Sequence, residues 1–94
     1  MNVRVGYSAQ LRTSIGRTEE DVELEAGSSL AALIEYLAAR LDDAGKGHLV
    51  TPEGQIRASL LIVVNEAITA ADAAKTTILK SGDVVLLLPP IAGG

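Results

Sequence analysis

Hydrophobic and polar positions alternate twice in the first third of this chain and fall at helical spacing once after that. Asn2 to Ser8 places Val3, Val5 and Tyr7 on one face and Arg4, Gly6 and Ser8 on the other, the pattern of a half-buried strand. Residues 9–18 (AQLRTSIGRT) contain Gly16 and no helical period, and read as a long hairpin loop. Asp21 to Ala26 alternates again, with Val22 and Leu24 inward and Asp21, Glu23 and Glu25 outward. The acidic run over 19–25 is a candidate cation site, but carboxylates at period two fit a solvated strand face better. Gly27-Ser28-Ser29 supplies turn and N-cap chemistry ahead of Leu30, Leu33, Ile34, Leu37 and Leu41. Their three- and four-residue steps predict the single long helix, over about 29–42, with Gly45 as its stop.

Residues 43–57 are polar and irregular, with Gly45, Gly47, Pro52 and Gly54, and are expected to form an insertion loop. Gly45-Lys46-Gly47 has no glycine five residues before it and no hydroxyl residue after Lys46, so it fails both requirements of a phosphate loop. His48, the sole histidine, has no metal-ligand or catalytic constellation near it in sequence and is read as a surface residue. Ser59 to Asn65 predicts a third strand, and Asn65-Glu66 a turn into a short Ala67-Ile68-Thr69 segment. A helical turn is expected over 70–76, and Ser81-Gly82-Asp83 turns into a final strand.

The strands differ in one respect. The first two are apolar on one face only, while Leu60-Leu61-Ile62-Val63-Val64 and Val84-Val85-Leu86-Leu87-Leu88 are apolar on both. A sheet covered by one helix has one dry face, so the second apolar face of these strands meets solvent or a partner. With Ile62, Val64, Val85 and Leu87 inward, the outward set is Leu61, Val63, Leu86 and Leu88, which we expect to bind a protein partner. The alternative is that the segment 43–57 folds over that face.

After Leu88 come Pro89 and Pro90, which lack a backbone donor and hold the preceding residue extended, so the strand should stop and the chain leave the domain. The expected organisation is one domain over 1–89 and a flexible diglycine tail over 90–94. Five extended residues from Pro90 reach roughly 16 Å at about 3.3 Å each, and glycine passes through a channel that side chains would block. Read as a chain end, Gly93-Gly94 presents an α-carboxylate with pKa near 3.5, ionised and a poor electrophile until a partner activates it.

Composition narrows the chemistry. Ninety-four residues suffice for one small domain. The absence of cysteine excludes disulfides, cysteine–metal clusters and a thiol nucleophile, so any sulfur handled here must ride on the carboxyl end. Eight basic and twelve acidic side chains give net charge −4, which disfavours nucleic acid and anionic membranes as partners. Residues 1–8 show no signal peptide, and apolar runs of about five residues fall far short of the ~20 a membrane helix needs. A cytoplasmic protein with protein partners is expected, with no metal site of its own.

Gly82-Asp83-Val84-Val85 together with Leu88-Pro89-Pro90-Ile91-Ala92-Gly93-Gly94 resembles the closing segment of the small subunit of molybdopterin synthase, in the MoaD/ThiS-like sulfur-carrier branch of the ubiquitin-like proteins. Asp42 to Glu66, with Leu49, Gly54, Ile56-Arg57 and Val63-Val64-Asn65-Glu66, resembles the longer diglycine-ended carriers, including those feeding cysteine synthesis. Leu88 stands where many relatives have phenylalanine, and this chain has none. The resemblance implies an α+β, β-grasp fold: a mixed four- to five-stranded sheet with one main helix. It implies a carrier rather than an enzyme. An adenylating, E1-like enzyme would activate Gly94 with its own ATP and magnesium, and a sulfurtransferase or cysteine desulfurase would supply sulfur. The resulting terminal thiocarboxylate would enter an acceptor enzyme such as the molybdopterin synthase large subunit, with Pro90, Ile91, Ala92 and Gly93 forming the inserted tail. The same resemblance leaves open carriers for cysteine, thiamine or tRNA thiolation, and a protein modifier joined to lysines.

Overall fold

Alternation in the sequence becomes a sheet, and the apolar stripe becomes the helix that covers it. The computed structural model describes residues 1–89; the expected tail, 90–94, lies outside them. The strands are β1 (Asn2–Tyr7), β2 (Glu19–Glu23), β3 (Leu61–Val64), β4 (Ala67–Thr69) and β5 (Val84–Leu88), with helices α1 (Ala9–Ile15), α2 (Leu30–Ala39) and α3 (Asp43–Leu49) and a 3-10 turn at Ala71–Ala73. The sheet order is β2-β1-β5-β3-β4. β1 and β5 run parallel at its centre, and every other pair is antiparallel. This is the mixed sheet of a ubiquitin-like β-grasp, with β5, the last element before the tail, as its middle strand.

α2 starts where expected, with the Ser29 hydroxyl accepting from the Ala32 amide, and ends at Ala39, with Arg40 as C-cap. Leu30, Leu33, Ile34 and Leu37 are fully or almost fully buried against Val3, Val5, Ile62, Val85 and Leu87 from the sheet. Leu41 lies past the helix end and packs at the edge of that core.

Two segments expected to be loops are helical. In 9–18, Leu11 is buried and Ile15, four residues on, packs beside the core; a single i,i+4 pair is too short to show a period. Gly16, read as a loop residue, is the left-handed C-cap of α1, its amide bonded to the Arg12 carbonyl. In 43–57, Asp42 caps α3 by accepting from the Gly45 amide at 2.9 Å, and Leu49 enters the core. Gly45 is therefore not the stop of α2. It sits inside α3, where a Cβ would lie 3.2 Å from the Ser14 Cβ, so the glycine that hides the helix in sequence lets α3 lie close on α1. Two glycines at about 1 kcal/mol each against alanine make this helix dependent on its tertiary contacts. α3 packs on α1 and α2, on the helical side of the sheet, so residues 43–57 do not cover the outer face.

β2 begins at Glu19, two residues earlier than expected, and ends at Glu23. No helix among the described residues is long and apolar enough to cross a membrane.

Candidate functional site

β5 has a dry side and an outer side, set by alternation. Val85 and Leu87 are fully buried, as is Ile62 on β3, and Val64 is half-buried. Leu61 pairs with Leu88 and Val63 with Leu86 across the β3–β5 ladder, so the four residues expected to face outward form one cross-strand block. Leu61 and Leu86 are 41% and 42% exposed, while Val63 and Leu88 are half-buried.

The block is larger than alternation in β3 and β5 alone predicts. Val84 joins it by sharing the parity of Leu86, and Ile68 joins from β4, opposite Val63 and 75% exposed. Gly6 matters as well. A Cβ there would lie 2.6 Å from the Leu86 Cδ2, so Leu86 leans across β1 because position 6 has no side chain. The signal available in sequence was a glycine inside an alternating strand, which marks close approach.

One end of the face is the C-terminal end of β5. Ser8 donates its amide to the Leu87 carbonyl at 3.3 Å, and Pro89 is buried as the chain passes it. Gly94, Gly93, Ala92, Ile91 and Pro90 lie outside the described residues. The other end is the Asn65-Glu66 turn, where both residues take positive φ, +48° and +73°. Such a turn matches the twist of its hairpin, and the Asn65 side chain fastens it to the start of β5. Its amide nitrogen donates to Asp83 Oδ1 at 2.8 Å, and its oxygen accepts from the Val84 amide at 2.9 Å. The Asn65 bond and the Lys80 amide hold the Asp83 carboxyl below the usual aspartate value.

The acidic run does different work from cation binding. Arg4 on β1 binds Glu19 and Asp21, each at 3.1 Å. Glu20 turns toward α2, accepts from the Tyr7 hydroxyl and pairs with Arg40 at 3.0 Å. Burial pushes its carboxyl up, but bonds from Tyr7 and Arg40 and the charges of Arg40 and Arg17 outweigh that and hold it below the ordinary value. Burial first, and then Glu20, push the Tyr7 hydroxyl well above the ordinary tyrosine value. Among the described residues no group of three or more His, Cys, Asp or Glu is placed to hold a metal, and His48 is half-buried.

A family model, the ThiS family, matches residues 5–94, through the diglycine. The chain belongs to the ThiS family. This ThiS-family chain is 34% identical to a putative molybdopterin converting factor, subunit 1, from Pyrococcus furiosus, covering 97% of this chain and 99% of that one with a TM-score of 0.72. It is 27% identical to a chain of the Amycolatopsis orientalis BexX/CysO complex, over 98% and 99% of the two chains, at a TM-score of 0.69. Haloferax volcanii SAMP1 shares the fold over the whole of both chains at a TM-score of 0.84 and 17% identity. A search of curated proteins gave no significant match. The ThiS-family chain is thus a ubiquitin-like sulfur-carrier relative, whose solved relatives include protein–protein complexes.

Proposed function

We propose that this chain carries sulfur on Gly94 as a terminal thiocarboxylate, for the synthesis of molybdopterin. The observation that carries this is the family match running through Gly93-Gly94, together with the 34% identity to a putative converting-factor subunit 1. The carboxylate attacks the α-phosphorus of ATP on an adenylating partner, pyrophosphate leaves, and the acyl adenylate becomes an electrophile that the free carboxylate is not. The terminal sulfur of a persulfide on a sulfurtransferase or cysteine desulfurase then displaces AMP to give an acyl disulfide, and a partner thiol cleaves that S–S bond, releasing the terminal thiocarboxylate and leaving a disulfide on the partner. ATP and magnesium belong to the activating partner, and this chain is the substrate. The loaded tail, Pro90 to Gly94, enters an acceptor such as a molybdopterin synthase large subunit, while Leu61, Val63, Leu86 and Leu88 hold each partner at a fixed distance from the tail's base. Carriers for cysteine, thiamine or tRNA thiolation use the same chemistry with a different acceptor.

Incubation with the activating enzyme, ATP and a sulfur source should give, by intact mass, one product with a terminal oxygen replaced by sulfur. Sulfur on an internal residue, or loading that survives deletion of Gly94, overturns the carrier reading. The fold shared with SAMP1, a small archaeal modifier protein, supports a second reading in which the activated Gly94 is joined to a lysine amine. A lysine-branched conjugate in cells, lost on deletion of Gly94, favours it.

A further inference from the structure

We propose that the docking face is electrically polarised, and that it takes an activating enzyme which sets an acidic side chain over Arg12 and a basic one over Glu66. The inference rests on the docking role proposed for this face and names the chemistry of its partner. Leu86 stands between two hollows. The one toward the tail is lined by Gly6, Tyr7, Ser8, Arg12 and Leu88 as well as Leu86, and the other by Asn65, Glu66, Val84 and Leu86. An apolar strip therefore runs along β5 from a carboxylate at the turn to a guanidinium at the strand's C-terminal end.

These two charges differ from their neighbours in being unspent. Glu19 also lines the tail-side hollow, but Arg4 holds it at 3.1 Å. Asp83, near the turn, is held by Asn65 and the Lys80 amide. Among the described residues neither Arg12 nor Glu66 forms an ion pair. Both sit on fixed backbone: Arg12 in α1, whose end is capped by Gly16, and Glu66 in a left-handed turn residue pinned through Asn65 to β5. Hydrophobic contact is non-directional, so the apolar strip alone leaves the partner free to bind in either sense along β5. Opposite charges at its ends fix that sense, and with it the direction in which the tail leaves. The −4 net charge of the chain repels acidic surfaces in general, which leaves Arg12 to admit an acidic side chain at that one place.

The test uses the full chain and the host enzyme that catalyses ATP–pyrophosphate exchange in its presence. Arg12→Glu and Glu66→Lys should each raise the KM for the carrier about tenfold. Both should leave kcat at saturation and thermal melting near wild type. Arg12→Lys should keep most of the affinity, and added salt should raise the wild-type KM while flattening the difference between variants. An unchanged KM in both reversals overturns the proposal, because the face then binds through apolar contact alone. It is also overturned if the variants alter a concentration-dependent dimer in sedimentation and leave exchange untouched, since the occupant is then a second copy. If no host enzyme supports exchange with the wild-type chain, or exchange persists without Gly94, the carrier reading itself fails and this inference goes with it.

Discussion

Glu20 sits where β1, β2 and α2 meet, its side chain 7% exposed, and it gathers the Tyr7 hydroxyl and the Arg40 guanidinium on one carboxylate, with Arg17 at 3.7 Å. Arg40 also lies over the Tyr36 ring, 5.2 Å from its centroid. Hydrogen bonds to a charged group contribute about 1.5–3 kcal/mol, and the Arg40 end is open to water, which places Glu20→Gln at a loss of about 1–3 kcal/mol at neutral pH. The sign of its pH dependence comes from a folded value below the ordinary 4.5. The stabilisation is present in full above 4.5 and is lost as the pH falls through the lower folded value. Urea titrations of both proteins should thus show a constant gap from pH 6 to 7 that closes in acid. A gap that widens in acid contradicts the assignment.

β5 places buried and exposed leucines side by side, which makes its two faces separable by experiment. Leu87 is fully buried, so Leu87→Asp introduces an unpaired charge into the core and should cost more than about 4 kcal/mol, enough to unfold a small domain. Leu86→Asp projects from a 42% exposed position and should change stability by about 1 kcal/mol or less, while weakening partner binding. Equal denaturation midpoints for the two variants contradict the burial pattern. On the helical side, Leu37→Ala in α2 should cost about 2–5 kcal/mol by chemical denaturation, because Leu37 is 2% exposed among close-packed neighbours. Gly6→Ala tests the outer face from β1. The clash falls on the end of an exposed side chain, so stability should hold within about 1 kcal/mol while Leu86 shifts and partner affinity drops.

At the scale of the molecule, the parallel β1–β5 pair brings an early strand beside the last one and makes β5 the central strand of the sheet. The apolar outer face along β5 therefore leads to Pro89, the last of the described residues. Gly93→Val is expected to leave the melting temperature unchanged and to block loading or transfer, because a β-branched side chain would crowd a channel shaped for glycine. Unchanged loading and transfer rates by intact mass would remove the case for a narrow channel.

Period-two alternation in β1 and β2, the apolar stripe of α2 and the cap at Ser29 were legible because each depends on neighbours within one or two turns of the chain. The outward set Leu61, Val63, Leu86 and Leu88 was legible for the same reason: parity along a strand fixes the face. α1 and α3 were not. Each spans seven residues, too few for a period to emerge, and α3 carries two glycines, whose cost is offset by its packing on α1 and α2. Nor does the sequence show that Glu20 leaves the acidic row to meet Arg40, twenty residues on, or that Gly6 makes room for Leu86, eighty residues on. Local pattern determined which residues face inward along each element. Which elements share a face, and therefore which charges are spent within the domain and which remain at the ends of the β5 strip, was decided only when β1 paired with both β2 and β5.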